Sequence, residues 1–380
     1  MTSLVALTIP GTVTKIGKGA FIGTALTSVK LDKINVIPDE LFMNVTTLTE
    51  VTLSSKATEI GARAFMNTSL SGKFAVPTTV TTIGDEAFKN CVLIEELSTS
   101  AAKIGASAFE GCSALKAVAF GATLTEIGDK AFKGIAIEKI SLPKTVTTIG
   151  NEVFADCAAL NEVTLLGSAP TIGTGVLNNT PIYAHFFYTG TDTSYTVENN
   201  KWNGYLATSN TNNVLASFDV DNGKVTVAIT FKGVLTVTVK EEGGVIPNYN
   251  SVEETPWAAY KNFVTSAQFN TVAAIGDHAF EGFAKLTDVR FTAKTTSIGK
   301  RAFADCVLIS SVNTYATSIG EEAFAGCRKI ASADLSRVTE FGYRAFADCL
   351  SLTTVTNVGS LGLVSASSAN AFENTPYGAL

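Results

Sequence analysis

The stretch Ile83-Gly84-Asp85-Glu86-Ala87-Phe88-Lys89-Asn90-Cys91 recurs, with changes, about a dozen times along the chain. Its Ile-Gly-x-x-Ala-Phe core begins at Ile16, Ile60, Ile83, Ile104, Ile127, Ile275, Ile298 and Ile319, and looser copies begin at Ile37, Ile149, Ile172 and Phe341. Within each run, successive starts lie 21 to 23 residues apart (Ile83 to Ile104, Ile60 to Ile83). That period belongs to stacked solenoids, in which each repeat is sheltered by its neighbours.

The specimen Ile104 to Leu124 shows what one repeat contains. After Phe109 come Cys112, Leu115, Val118 and Phe120, and Leu124 leads into Ile127. The alternation Val118/Phe120 has period two, so this piece reads as a short strand with both side chains on one face. The same spacing gives Val29/Leu31, Val51/Leu53, Ile140/Leu142, Val163/Leu165 and Val289/Phe291. Gly-x-x-Ala-Phe places Ala and Phe three and four residues after Gly, which predicts one helical turn that points Phe inward. Pro10, Pro77 and Pro143 follow strands, where a missing N–H ends the ladder. A single repeat buries too little apolar surface to offset the entropy of ordering it, so stacking is obligatory.

All six cysteines share one phase, three residues after Phe: Cys91, Cys112, Cys157, Cys306, Cys327 and Cys349. Thr24, Val45, Thr68, Ile135 and Phe283 fill that slot elsewhere. A slot this tolerant asks for a buried side chain, not a thiolate. Disulfides between adjacent rungs, Cys91–Cys112 and Cys306–Cys327, stay open, whereas Cys157 has no cysteine in either neighbouring rung. No C-x-x-C occurs, and zinc is not indicated.

The repeats form a first array over 1–182. An aromatic-rich exit cap and linker follow over 183–213, with Tyr195, Trp202 and Tyr205. Three strand-like runs, Val214 to Val220, Lys224 to Phe231 and Val234 to Lys240, open a β-rich leading cap over 214–268. Asp221-Asn222-Gly223 joins the first two as a hairpin. A second array occupies 269–380. The chain starts inside the strand half of a repeat, with Met1 in the cysteine phase, so the natural protein is expected to extend upstream; the absent secretion signal then carries no information.

Composition narrows the function classes. Hydrophobic residues make up 46% of the 380 and charged residues 16%, with net charge −6. No basic run marks a nucleic-acid footprint, and no apolar run reaches the roughly 20 residues that cross a bilayer. His185 lies in the exit cap, and His278 stands in the x-x of its repeat, read as a solvent position. No Ser-His-Asp or Cys-His arrangement, metal cluster or phosphate-cradling loop can be assembled, so catalytic residues and cofactors are not expected. Asp219-Val220-Asp221-Asn222-Gly223 reads as a turn rather than a calcium loop, because its glycine falls one place early.

The pattern I-G-x-x-A-F-x-x-C-x-x-L-x-x-V-x-L-P resembles the BspA-like leucine-rich repeats of bacterial surface proteins, over both arrays. Gly233-Val234-Leu235-Thr236-Val237, Pro256-Trp257-Ala258-Ala259-Tyr260 and Asn200-Lys201-Trp202-Asn203-Gly204-Tyr205 are similar to segments flanking such arrays. The resemblance implies a leucine-rich-repeat solenoid, an α/β-type right-handed superhelix of one short strand and one helical turn per repeat. It also implies an extracellular or cell-surface location, and adhesion to a host matrix or surface protein, or to a glycan. A structural spacer presenting another module is the alternative. A monomer is expected. The binding surface is sought among the strand residues facing away from the core: Lys30, Glu50, Glu96, Lys139, Glu162, Asp288, Arg290 and Asp334.

Overall fold

The computed structural model describes residues 5–189, 192–210, 212–356 and 370–377. Readings that fall on Met1, Thr211 and residues 357–369 lie outside the described residues. The chain divides into two compact units, Met1–Asn210 and Thr211–Leu380.

Most rungs contribute two strands. The expected strand after the leucine is present, as in Ser28–Leu31, Ala117–Phe120, Lys139–Leu142 and Glu162–Leu165. These strands pair in parallel with in-phase register, Val29 against Val51 and Ile140 against Val163. A second ladder is built from the residue before each recurring isoleucine and that isoleucine itself. Val36–Ile37, Glu59–Ile60, Thr82–Ile83, Lys103–Ile104, Glu126–Ile127, Thr148–Ile149 and Thr171–Ile172 form a seven-stranded parallel sheet. Two residues are too short for alternation to show in a sequence.

The helical turn is not formed. The described residues contain no α-helix, and the 3-10 turns Asp221–Gly223, Val252–Glu254 and Ala258–Tyr260 lie outside the repeats. The reason lies in backbone handedness. Glu86 and Asn90 have φ of 56° and 59°, and Arg63/Asn67, Glu152/Asp156 and Glu322/Gly326 repeat the pattern. A left-handed residue every fourth position breaks an α-helix. The backbone hydrogen bonds then alternate. Ala87 N–H and Cys91 N–H bond back within the turn to Gly84 and Phe88 carbonyls, while Glu86, Phe88 and Asn90 N–H groups donate to Ala106, Ala108 and Glu110 of the next rung. Half of the bonds a helix would keep internal thus hold rungs together.

Rungs approach closely on this side. A Cβ on Gly105 would lie 2.6 Å from the backbone nitrogen of Asp85, so the recurring glycine is required by contact with the preceding rung. The slot before cysteine is always Asn, Asp or Gly, as in Asn67, Asn90, Gly111 and Asp305, because those residues tolerate positive φ. Its asparagines also form a ladder: the Asn67 amide donates to Asn44 Oδ1 at 2.6 Å and the Asn90 amide to Asn67 Oδ1 at 2.9 Å.

Phenylalanines of one phase form a column. Ring centroids of Phe42, Phe65, Phe88 and Phe109 follow one another at 5.5, 5.1 and 5.1 Å, the last pair 3° from coplanar. The second unit repeats this through Phe280, Phe303, Phe324 and Phe346 at 5.4, 5.4 and 5.0 Å. In-phase residues therefore stack rung upon rung.

Both columns are sealed by side chains that replace the missing rung. In the first unit, His185–Tyr188 extends the strand ladder and the hairpin of Lys201–Trp202 with Tyr205–Thr208 closes its edge. The Tyr205 hydroxyl accepts from Val176 N–H at 3.0 Å and donates to Gly173 carbonyl, while the Tyr195 hydroxyl donates to Gly167 carbonyl at 2.8 Å. In the second unit, Val214–Val220, Val225–Thr230 and Val234–Val239 form an antiparallel meander whose last strand pairs in parallel with Ser266–Asn270. Trp257 is wholly buried, stacks on Phe280 at 5.6 Å, and donates its indole N–H to Ala279 carbonyl at 2.8 Å. In a regular rung the Phe N–H of the preceding rung bonds that carbonyl, as Phe88 does to Ala108.

Candidate binding surface

The outward residues of the strands fall into columns set by the ladder register. Ser28, Glu50 and then, one ladder on, Lys73, Glu96 and Ala117 are followed by Lys139, Glu162 and His185. The neighbouring column holds Lys30 and Thr52, Ala75, Ser98 and Ala119, then Ser141 and Thr164. Of the charged residues expected to form the surface, Lys30, Glu50, Glu96, Lys139 and Arg290 are exposed, whereas Asp288, Asp334 and Glu162 are partly covered.

Much of this charge is internally matched. Lys73 lies 3.9 Å from Glu96, Lys139 3.6 Å from Glu162, Lys30 3.3 Å from Asp32, and Arg290 donates to Asp288 at 2.8 Å. Asp334 accepts from the Ser336 N–H. Pairs this exposed contribute little stability. Glu162 departs most from the expected open position. Its side chain is 17% exposed because His185, buried in the next strand, lies 3.8 Å away and Thr164 donates to it. Burial lowers the pKa of His185, which holds the ring neutral.

Lys73 was not anticipated. Its strand carries a register shift between Gly72 and Lys73 that disturbs the repeat spacing, and only the in-phase Phe74 and Pro77 betray it.

His278 is also not the plain solvent position expected. It stands at the left-handed turn slot, φ 56°, with a side chain 16% exposed and Nδ1 2.5 Å from Glu281. That slot lines a second charged column. Arg301 is held by Glu281 at 2.7 Å and by Glu322, and Arg344 by Glu373 at 2.6 Å and Glu322 at 3.7 Å. In the first unit Arg63 bridges Glu40 at 2.9 Å and Glu86 at 3.3 Å. Burial alone would raise the Glu281 pKa, but the bonds from Arg301 and His278 carry it below the usual range. Adjacent rungs place these residues side by side, and opposite charges there replace a repulsion with an attraction.

A shallow cleft of about 270 Å³ opens beside this column, between Arg301, Asp305, Gly326, Arg328 and Asp348. Its carboxylates Asp305 and Asp348 are held by Arg301 and Arg344 at 3.4 and 2.9 Å. Another, of about 470 Å³, lies at Thr171–Gly175 beside Asn203 and Tyr205. Neither gathers a nucleophile with a general base. Among the described residues no three His, Cys, Asp or Glu side chains are placed to hold a metal, and no helix is long and apolar enough to cross a membrane.

The cysteines are free and buried. Each thiol reaches a phenylalanine carbonyl of the preceding rung: Cys91 to Phe65, Cys112 to Phe88 and Cys327 to Phe303, all at 3.1 Å. The threonines of the same slot, Thr68 and Thr375, donate to the phenylalanine carbonyl of their own rung. The slot therefore often supplies a donor for a buried acceptor, which sequence alone does not indicate. Burial pushes the Cys91 and Cys157 thiols up to about 11 and Cys349 up to about 12. In the native chain at pH 8, a disulfide-exchange reagent is expected to find no reactive thiol, and in denaturant all six. Because the folded thiols hold their protons while unfolded ones ionise, stability is expected to fall as pH rises from the ordinary thiol value toward about 11. Denaturant titrations at pH 7, 9 and 10.5 check the sign; a gain at high pH would contradict it.

Residues 1–95, 93–197 and 258–377 match the family model described as BspA type leucine rich repeat region, in six copies. Among solved structures, the chain is similar to a leucine rich cell surface protein from Faecalibacterium prausnitzii, 24% identical, covering 97% of this chain and 90% of that one with a TM-score of 0.40. It is also similar to a leucine-rich repeat protein from Bacteroides ovatus, at 17% identity, 93% and 88% coverage and a TM-score of 0.29. The pneumococcal vaccine antigen PcpA is similar at 20% identity, with 96% and 81% coverage and a TM-score of 0.32. No curated protein matches the chain at a significant level.

Proposed function

Because this chain belongs to the BspA-type leucine-rich repeat family, we propose that it is a non-enzymatic protein of the bacterial cell surface that binds a macromolecular partner along its strand faces. The observation that carries the reading is the series of strands whose outward columns meet solvent over many rungs, from Ser28–Leu31 to Lys139–Leu142 and again from Asp288–Arg290 to Thr354–Thr356. A repeat scaffold of this kind offers an extended surface rather than a pocket. On this reading Lys30, Glu50, Glu96, Lys139, Glu162, Asp288, Arg290 and Asp334 are contact residues, adhesion to a host matrix protein, surface protein or glycan is the activity, and arrays at 1–182 and 269–380 are separated by caps at 183–213 and 214–268. Immobilised chain screened against extracellular matrix proteins and a glycan array is expected to capture a saturable ligand; capture of none at micromolar concentration would sink adhesion. The spacer reading draws on a specific feature: the first unit's face neutralises itself through Lys73–Glu96 and Lys139–Glu162.

A further inference from the structure

The isoleucine ladder of the first unit ends open. Ile60, Ile83, Ile104, Ile127 and Ile149 are at most 1% exposed, whereas Ile172, on the last strand of the seven-stranded sheet, is only half-buried. The cap touches this rung on both sides of that strand: the Tyr195 hydroxyl holds Gly167, and the Tyr205 hydroxyl bridges Gly173 and Val176. Between those contacts lies the cleft of about 470 Å³, lined by Pro170, Thr171 and Ile172 on the sheet side and by Asn203 and Tyr205 on the cap side.

The ladder's hydrogen bonds stop at the same place. Each strand donates back to the rung before it, Thr171 N–H to Thr147 carbonyl at 2.9 Å and Gly173 N–H to Ile149 carbonyl at 2.8 Å. Each turn donates forward, as Glu152 N–H does to Thr174 carbonyl at 2.9 Å. One rung on, the equivalent groups are the Pro170 and Ile172 carbonyls and the Gly175 N–H, and none of them meets a partner among the described residues. The second unit closes the opposite end of its own ladder with an extended segment. There Ile246 N–H donates to Ala274 carbonyl at 2.9 Å, Tyr249 N–H donates to Asp277 carbonyl at 3.1 Å, and Pro247 lies against Gly276.

We infer that the edge at Thr171–Ile172 takes an extended peptide of a partner protein, added in parallel as one more strand and carrying an apolar residue followed by glycine. Two carbonyls and one N–H left open on a sheet edge are the complement of an extended backbone. An apolar side chain on the incoming strand completes the cover of Ile172. Glycine must follow it, because this slot has no room for a Cβ. On Gly150 a Cβ would lie 2.6 Å from the Asp129 nitrogen, and on Gly173 2.6 Å from the Asn151 nitrogen, so the residue landing on Gly173 meets the same obstacle. A whole rung from a second copy fits less well, since Trp202 and Tyr205 already lie over the rest of the cross-section. This site lies at the end of the ladder and uses main-chain groups, so it and the strand-face proposal can each fail alone.

The test titrates the isotope-labelled full chain with an acetylated, amidated peptide of the chain's own sequence Thr81-Thr82-Ile83-Gly84-Asp85, followed by the amide resonances of Ile172, Gly173 and Gly175. Saturable shifts at those amides are expected, with a dissociation constant below about 1 mM and little dependence on salt. In the peptide, Gly84→Ala and N-methylation of Gly84 should each weaken binding at least about tenfold, the first by collision and the second by removing the donor to Ile172 carbonyl. In the chain, Ile172→Thr should weaken it several-fold; the peptide variants carry the test if that substitution disturbs the fold. No saturable shift at millimolar peptide, shifts confined to other residues, or equal binding of the Gly84→Ala peptide overturns the inference. Concentration-dependent dimerisation of the chain that the peptide reverses overturns the choice of a foreign partner in favour of a second copy.

Discussion

Phe88→Ala is expected to lower the unfolding free energy by about 3–5 kcal/mol. The ring is fully buried and lies between Phe65 and Phe109, 5.1 Å from each, with Phe74 meeting its edge at 5.1 Å. Truncation removes apolar surface and leaves a void that its neighbours cannot close, because the backbones of rungs on either side are tied through Phe88 N–H to Ala108 and Phe65 N–H to Ala87. A gap in mid-column should also uncouple the rungs before it from those after, since each rung contacts only its neighbours. Urea unfolding followed by circular dichroism reads the loss, and hydrogen exchange reads the uncoupling at Glu86, Phe88 and Asn90. Phe88→Leu should cost markedly less. A loss under about 1 kcal/mol for alanine would mean that the ring column does not hold the stack together.

Trp257→Ala is expected to cost a similar 3–5 kcal/mol by cavity formation, and up to about 1–3 kcal/mol more because Ala279 carbonyl loses its donor inside the protein. Trp257→Phe separates the two effects: it keeps a ring on Phe280 and removes the N–H, so about 1–3 kcal/mol should remain. The chain has two tryptophans, and Trp202 then serves as the fluorescence reporter for the first unit while unfolding is followed by circular dichroism. Equal costs for the two variants would show that the hydrogen bond, not the ring, covers the first rung. No cost for either would remove Trp257 from the role of substitute rung.

Much of the stack was legible beforehand because period and phase survive as side-chain patterns. Val29/Leu31 and Ile140/Leu142 marked strands through alternation, and Asp221-Asn222-Gly223 marked the hairpin through turn chemistry. The turn was misread for a definite reason. Gly-x-x-Ala-Phe fits helical spacing, yet Glu86, Arg63 and Arg301 adopt left-handed backbone that their side chains do not favour. Their N–H groups bond to the next rung, so stacking offsets the local strain, and no local signal reports it. The charged face was legible by position, since Lys30, Glu50 and Lys139 are exposed. Its internal pairing was not, because Lys73 and Glu96 are 23 residues apart and become neighbours only in the ladder.

The order of residues by itself determined that this protein is a stack, how far apart its rungs recur and which side chains share a column, since burying a narrow repeat demands in-phase neighbours. Only the tertiary structure decided that the turns are left-handed and bonded outward, that thiols serve phenylalanine carbonyls, and that Trp257 and Tyr205 stand in for absent rungs. Those features depend on which backbone group lies opposite which across rungs, a distance that exists in space and not along the chain.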